Sequence, residues 1–150
     1  MRVLIVNGPN LNMLGIREPE KYGNKNLAAI EKILKKKAEK LGIDVSFFQS
    51  NHEGSIIDFI QKEGLNADGM IINLGAYTHT SIAIRDAILS VNIPFVEVHM
   101  TNIYKREKFR HISYLKDIAI GQIVGMGWYG YILALYGIFN YLNKNKDKKR

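Results

Sequence analysis

The sequence predicts an α/β domain in which a parallel sheet of five strands is covered by helices on both faces. Two observations predict it. Five short apolar runs alternate with longer segments of helical period along 150 residues. No repeat, linker or composition break divides them, so strand and helix alternate within one core, the pattern of a parallel sheet with crossover helices.

The elements follow in order. Arg2–Asn7 reads as a buried strand, stopped by Asn-Gly-Pro-Asn. A polar loop runs from Gly8 to about Gly23, with Gly15 and Gly23 as pivots for a lid. A helix spans about Asn26 to Leu41, because Leu27, Ile30, Leu34 and Leu41 share one 3.6-period face; Asn26 suits the N-cap and Gly42 the stop. Val45–Phe48 is the second strand and Ser55–Lys62 the second helix. Gly69–Leu74 is the third strand; a Gly-Ala-Tyr-Thr-His loop leads to a helix over Ser81–Val91. Pro94–His99 is the fourth strand, followed by a polar loop from Met100 to about Leu115. Ile120–Met126 is the fifth, interrupted by three glycines, and Trp128–Leu142 forms the last helix. The expected topology is flavodoxin-like, strand order 2-1-3-4-5, with one domain over 1–143 and a basic tail over 144–150.

Composition excludes several functions. With no cysteine, disulfides, zinc–thiolate sites and a thiol nucleophile are impossible. No apolar run reaches the roughly 18 residues of a membrane span, and the first residues lack a signal-peptide core, so a cytoplasmic protein without membrane association is expected. Of the net charge of +7, five bases and one acid in 144–150 supply +4, so the excess reads as a solvated tail rather than a nucleic-acid face. His52, His79, His99 and His111 are scattered without metal-ligand spacing.

Ligands of such sheets bind beyond the carboxyl ends of the strands, near the switch point between the first and third. Those ends are polar here: Asn10, Asn12, Arg17, Glu18 and Tyr22 after strand one, Asn73 and His79 after strand three, Glu97, His99 and Thr101 at strand four, then Arg106 and Arg110. Glu97 and His99, two apart on a strand, share a face, so the carboxylate can orient and stabilise a protonated imidazole that serves as a general acid. Spacing alone favours a plainer reading, a strand-end histidine beside a solvated glutamate. Tyr22, with a free pKa of about 10, becomes a base only if a cation such as Arg17 favours its phenolate. A surface arginine and a packed tyrosine satisfy the same pattern. Gly8-Pro9-Asn10 lacks phosphate-loop spacing, whereas Asn73 to Ala76 offers an amide and N–H groups suited to a carboxylate, or simply a strand-to-helix turn.

NGPNLNMLGIREPEKYG at 7–23, SNHEG at 50–54, NLGAYTHTSIAIRDA at 73–87, VEVHMTN at 96–102, Arg106, FRHISYL at 109–115 and the Gly125…Gly130-Tyr131 ending occur in order and in register. Together they resemble the type II 3-dehydroquinate dehydratases from Arg2 to about Leu142. The resemblance implies anti elimination of water from 3-dehydroquinate through an enolate to 3-dehydroshikimate, without metal, cofactor or lysine imine. It implies Tyr22 as base, Arg17 as the cation lowering its pKa, Asn10 as holder of the water at the enolate, and His99 with Glu97 as acid. It implies Asn73, the Met100 N–H and Thr101 on the substrate carboxylate, and His79 and Arg110 on ring hydroxyls. Asp86 is expected to reach a neighbour's site in trimers that assemble to a dodecamer. Leu74, Thr101 and Ile112 depart from common family residues (proline, serine and histidine), and none removes a catalytic group. The alternative is a flavodoxin-like binding or electron-transfer module without catalysis.

Overall fold

The computed structural model describes residues 1–16, 18–22 and 24–147. The strands are β1 (Arg2–Asn7), β2 (Asp44–Gln49), β3 (Gly69–Asn73), β4 (Phe95–His99) and β5 (Gly121–Val124). They form one sheet of order β2-β1-β3-β4-β5, and every adjacent pair is parallel. This is the expected flavodoxin-like arrangement. The helices are α1 (Pro19–Tyr22), α2 (Leu27–Lys40), α3 (Glu53–Gly64), α4 (Ile82–Val91) and α5 (Tyr129–Asp147). Among the described residues, no helix is long and apolar enough to cross a membrane.

Alternation along the strands sends side chains to two cores. Val3, Ile5, Ile71, Val96 and Val98 pack with Ile30, Leu34, Tyr131 and Leu135 of α2 and α5. Leu4, Val6, Met70, Ile72 and Phe95 pack with Ile56, Ile60, Ile84 and Ile88 of α3 and α4. The same parity decides where the polar strand ends point. Asn7 and Asn73 continue the α5 side, while Glu97 and His99 continue the α4 side.

Local signals set most boundaries. Asn26 caps α2 by accepting from the Ala29 N–H at 2.9 Å, and Ser81 caps α4 by accepting from the Ile84 N–H at 2.9 Å. Several elements differ from the sequence reading, among them the short α1 and the longer α3, which lie in or beside segments read as loop. The loops after β1, β3 and β4 contain 3₁₀ turns at Leu11–Met13, Gly75–His79, Ile103–Lys105 and Lys108–Arg110, too short to show periodicity. β5 ends at Val124, because Gly125 and Gly127 take φ of +88° and +56°, outside the extended region. α5 runs to Asp147, five residues past Leu142, since polar residues without a stop signal extend a helix already nucleated by packing.

The seam between β1 and β3 is tight. The Gly8 N–H donates to Asn73 O at 2.8 Å, and a Cβ at Gly8 would lie 2.2 Å from Leu74 O. Gly8→Ala must therefore spread the strand ends that carry the polar groups. An overpacking cost of about 1–3 kcal/mol is expected, a fall in Tm of roughly 3–10 °C for a chain of this size, read by thermal denaturation followed by circular dichroism.

Candidate active site

The carboxyl ends of β1, β3 and β4 surround a cavity of about 130 Å³. That is close to the roughly 150 Å³ of a cavity that holds benzene, the scale of a single six-membered ring. Asn10 and Asn73 line it from the β1 and β3 ends, and His79 from the turn after β3. His99, Met100 and Thr101 line it from β4, with Arg106 and Arg110 from the loop beyond. Eight residues singled out in the sequence thus converge. Glu97 stands behind His99, fully buried. Asp86 lies on the exposed surface of α4, away from this mouth, and Arg85 beside it pairs with Asp117 at 2.5 Å. The backbone of Tyr22 closes α1, but the expectations for its side chain and for Arg17 fall outside the described residues.

Glu97 and His99 make the contact that their spacing allowed. His99 Nε2 lies 2.6 Å from Glu97 Oε1, with His99 5 % exposed. A carboxylate can only accept, so Nε2 carries the proton and the ring presents Nδ1 to the mouth. Burial pushes the Glu97 carboxyl up, but it is more than offset by the His99 ring and by the hydroxyl and amide donors of Ser113 and Gln122. The net effect holds Glu97 below the ordinary carboxylate range and hence ionised at neutral pH.

His79 complements this pair. Its Nδ1 donates to Ile112 O at 2.6 Å, so the neutral ring offers Nε2 as an acceptor. Burial, then the nearby His99 and Arg110, lower its pKa and outweigh the carbonyl contact and Glu97, favouring that neutral form. The group used at Ile112 is a main-chain carbonyl, which explains why an apolar residue serves there. Thr101 Oγ1 accepts from Arg106 at 3.3 Å, and Arg110 is braced by Glu107 at 2.9 Å. The mouth therefore combines two guanidinium groups, an imidazole acceptor, an imidazole backed by a carboxylate, and two asparagines.

Sequence reasoning missed the residues that hold these groups. Tyr131 donates to Asn7 Oδ1 at 2.5 Å and accepts from Asn73 Nδ2 at 2.9 Å, fixing the Asn73 amide. Desolvation drives the fully buried Tyr131 phenol far above its usual pKa, so it stays protonated and able to donate. Asn51 Oδ1 accepts from the Asn10 N–H at 2.9 Å, supporting Asn10 at φ +68°. Ser113 and Gln122 grip Glu97 at 2.7 and 2.6 Å. Asn51, Ser113 and Tyr131 lie within the motif runs, which was the available signal; Gln122 carried none. The loop after β1 is no phosphate cradle, because its Gly8 and Asn10 N–H groups are taken by Asn73 O and Asn51 Oδ1.

The fold and site define an α/β protein of the flavodoxin-like class with an acid–base mouth at the carboxyl ends of its sheet. The family described as Dehydroquinase class II matches residues 1–139, and the chain belongs to that family. It is similar to the 3-dehydroquinate dehydratase of Trichodesmium erythraeum, 52 % identical over 97 % of each chain. It is also similar to the catabolic 3-dehydroquinase 1 of Aspergillus fumigatus, 58 % identical over 89 % of each. The type II dehydroquinase of Butyrivibrio crossotus superposes with a TM-score of 0.89 at 50 % identity, covering 92 % of this chain and 97 % of that one.

The depressed Glu97 value fixes a pH dependence. Its folded pKa is below the unfolded one, so its stabilisation is full above 4.5 and lost as pH falls through the depressed value. Glu97→Gln should be roughly 1.5–3 kcal/mol less stable than wild type at pH 7, the scale of hydrogen bonds to a charged group. Urea denaturation at pH 7 and in stronger acid should show that gap closing as the wild-type carboxylate protonates.

Proposed function

We propose that this chain is a type II 3-dehydroquinate dehydratase, which removes water from 3-dehydroquinate by anti elimination to give 3-dehydroshikimate. The observation that carries it is the buried Glu97–His99 pair at 2.6 Å, facing a mouth with anion-binding groups. Family membership supports the same reaction.

Tyr22, as phenolate beside Arg17, takes the proton next to the ketone. The electron pair left on carbon delocalises to oxygen as an enolate, which a water held by Asn10 stabilises by hydrogen bonding. The enolate then re-forms the ketone, the conjugated double bond forms, and the carbon–oxygen bond to the hydroxyl breaks. Hydroxide is a poor leaving group, so protonated His99 gives it a proton as it departs, and Glu97 stabilises the cation before transfer. One proton is taken and one given, and water is the sole by-product. The return of the Tyr22 proton to His99 through solvent resets the site.

Asn73, the Met100 N–H and Thr101 receive the substrate carboxylate in this reading, and His79 and Arg110 receive ring hydroxyls. Arg106 adds positive charge beside Thr101. No metal or cofactor enters these steps. Residues 1–143 form the catalytic domain, and 144–150 take no part. The setting is the cytoplasm, with trimers assembling to a dodecamer and Asp86 of one subunit serving a neighbour's site.

Purified protein given 3-dehydroquinate should produce the absorbance of the conjugated product, undiminished by chelator or by borohydride. Tyr22→Phe should lower kcat by about 10²–10⁴-fold, the usual contribution of a general base; a loss under tenfold would remove Tyr22 from that role. Asp86→Ala should weaken substrate binding or assembly beyond the ±0.5 kcal/mol of an ordinary surface change, with kinetics and light scattering as the readouts. A fully active wild-type monomer would contradict the shared site.

A further inference from the structure

The Glu97 carboxylate is fully buried with three hydrogen-bond partners, and one of them comes from an element that contributes nothing else to the site. In the parallel ladder of β4 and β5, Glu97 is directly opposite Gln122, so the two side chains leave the sheet on the same face. Gln122 Nε2 donates to Glu97 Oε2 at 2.6 Å, while Ser113 and His99 both contact Oε1, at 2.7 and 2.6 Å.

We propose that Gln122 is a positioning residue for the acid–base pair: its amide, donated to Glu97 Oε2, holds the buried carboxylate ionised and fixed, and through it keeps the His99 ring aimed at the mouth and charged for proton donation. The inference rests on the dehydratase reading for its consequence in turnover, and on the coordinates for its geometry.

The chemistry of the three partners separates them. The Ser113 hydroxyl can rotate and accept, so it tolerates a protonated Glu97. An amide NH₂ has hydrogens only, so a proton on Oε2 would meet another hydrogen. Gln122 therefore disfavours a proton on Oε2, and its donated hydrogen bond is stronger to the carboxylate than to the neutral acid. The reverse orientation of its amide would set a carbonyl oxygen against the carboxylate oxygen. Glu97 is fully buried behind Gln122, and a buried carboxylate short of donors takes up a proton more readily. A neutral Glu97 withdraws the negative charge that favours protonated His99. The other groups facing the pair are His79, whose ring centroid is 6.2 Å from that of His99, and Arg106 and Arg110 across the mouth. α4 packs Ile84, Ala87 and Ile88 into the core on this face of the sheet. All remain in the variants below, so a difference from wild type reads Gln122.

Gln122→Met removes the donor at nearly constant shape, Gln122→Asn keeps an amide one methylene too short to reach, and Gln122→Lys restores a donor of similar length. The full-length protein is used throughout. In both the methionine and asparagine variants kcat should fall about tenfold, the lower end for loss of a hydrogen bond to a charged group. KM should change less than about twofold, and the alkaline limb of the kcat profile should move to lower pH. The lysine variant should recover most of the loss. Imidazole NMR titration, with the His99 signals identified by a His99→Gln control, needs no substrate. The ring should lose its proton at lower pH in the methionine and asparagine variants than in wild type. If His99 titrates identically in wild type and in every folded variant, the inference is overturned. It is overturned equally if kcat and KM fall only in proportion to lost folded protein. Wild-type protein inert toward 3-dehydroquinate would sink the proposed function while leaving the NMR comparison to decide Gln122.

Discussion

A carboxylate with no solvent exposure is costly unless its lone pairs are met, and Glu97 imposes that requirement on everything around it. Its three donors come from three places: His99 two residues along the same strand, Ser113 in the loop beyond, and Gln122 on the edge strand. Satisfying all three fixes the register of β4 against β5, because a shift of one residue would turn Gln122 to the opposite face. It also pins the loop after β4, whose Ser113 in turn accepts from the Leu115 N–H at 3.0 Å. That loop carries Arg106 and Arg110 to the mouth. One buried charge thus couples sheet edge, loop path and imidazole orientation.

The opposite face of the sheet has its own polar cluster, built around a phenol in place of a charge. Tyr131, rising from α5, joins Asn7 and Asn73 at the ends of neighbouring strands. With Asn73 donating to the phenol oxygen, its Oδ1 is directed to the Gly75 N–H at 3.3 Å, which sets the start of the turn bearing His79. The two clusters lie on opposite sides of the sheet and meet only at the cavity. This division follows from strand parity, since β1 and β3 present their last residues toward α5 while β4 presents its polar pair toward α4. A mouth with an amide side and an imidazole–carboxylate side is a direct product of that alternation.

Much of this was legible before any coordinates. The short apolar strands and the capped amphipathic helix from Leu27 are local patterns with local causes. The strand order was expected from the flavodoxin-like class, one of the doubly wound orders that alternation allows. Strand period puts Glu97 and His99 on one face, but spacing alone favoured a solvated glutamate, and the burial that makes them a pair is tertiary. The short 3₁₀ turns, the end of β5 at Val124 and the run of α5 to Asp147 were not legible. Turns of three to five residues carry no period, and a helix end without a glycine or proline has no local mark.

The sequence by itself determined the fold class and the polar residue types at the carboxyl ends of the first, third and fourth strands. Residue identity and near-neighbour spacing suffice for those, because both are written along the chain. Only the tertiary structure decided which groups hold the site residues in place. Tyr131 reaches Asn7 across 124 positions, and Gln122 reaches Glu97 across 25. Nothing local in a glutamine on a glycine-rich edge strand distinguishes a solvated amide from one that grips a buried carboxylate. The pairing of β5 with β4 makes that distinction, by bringing the amide opposite a charge that water cannot reach.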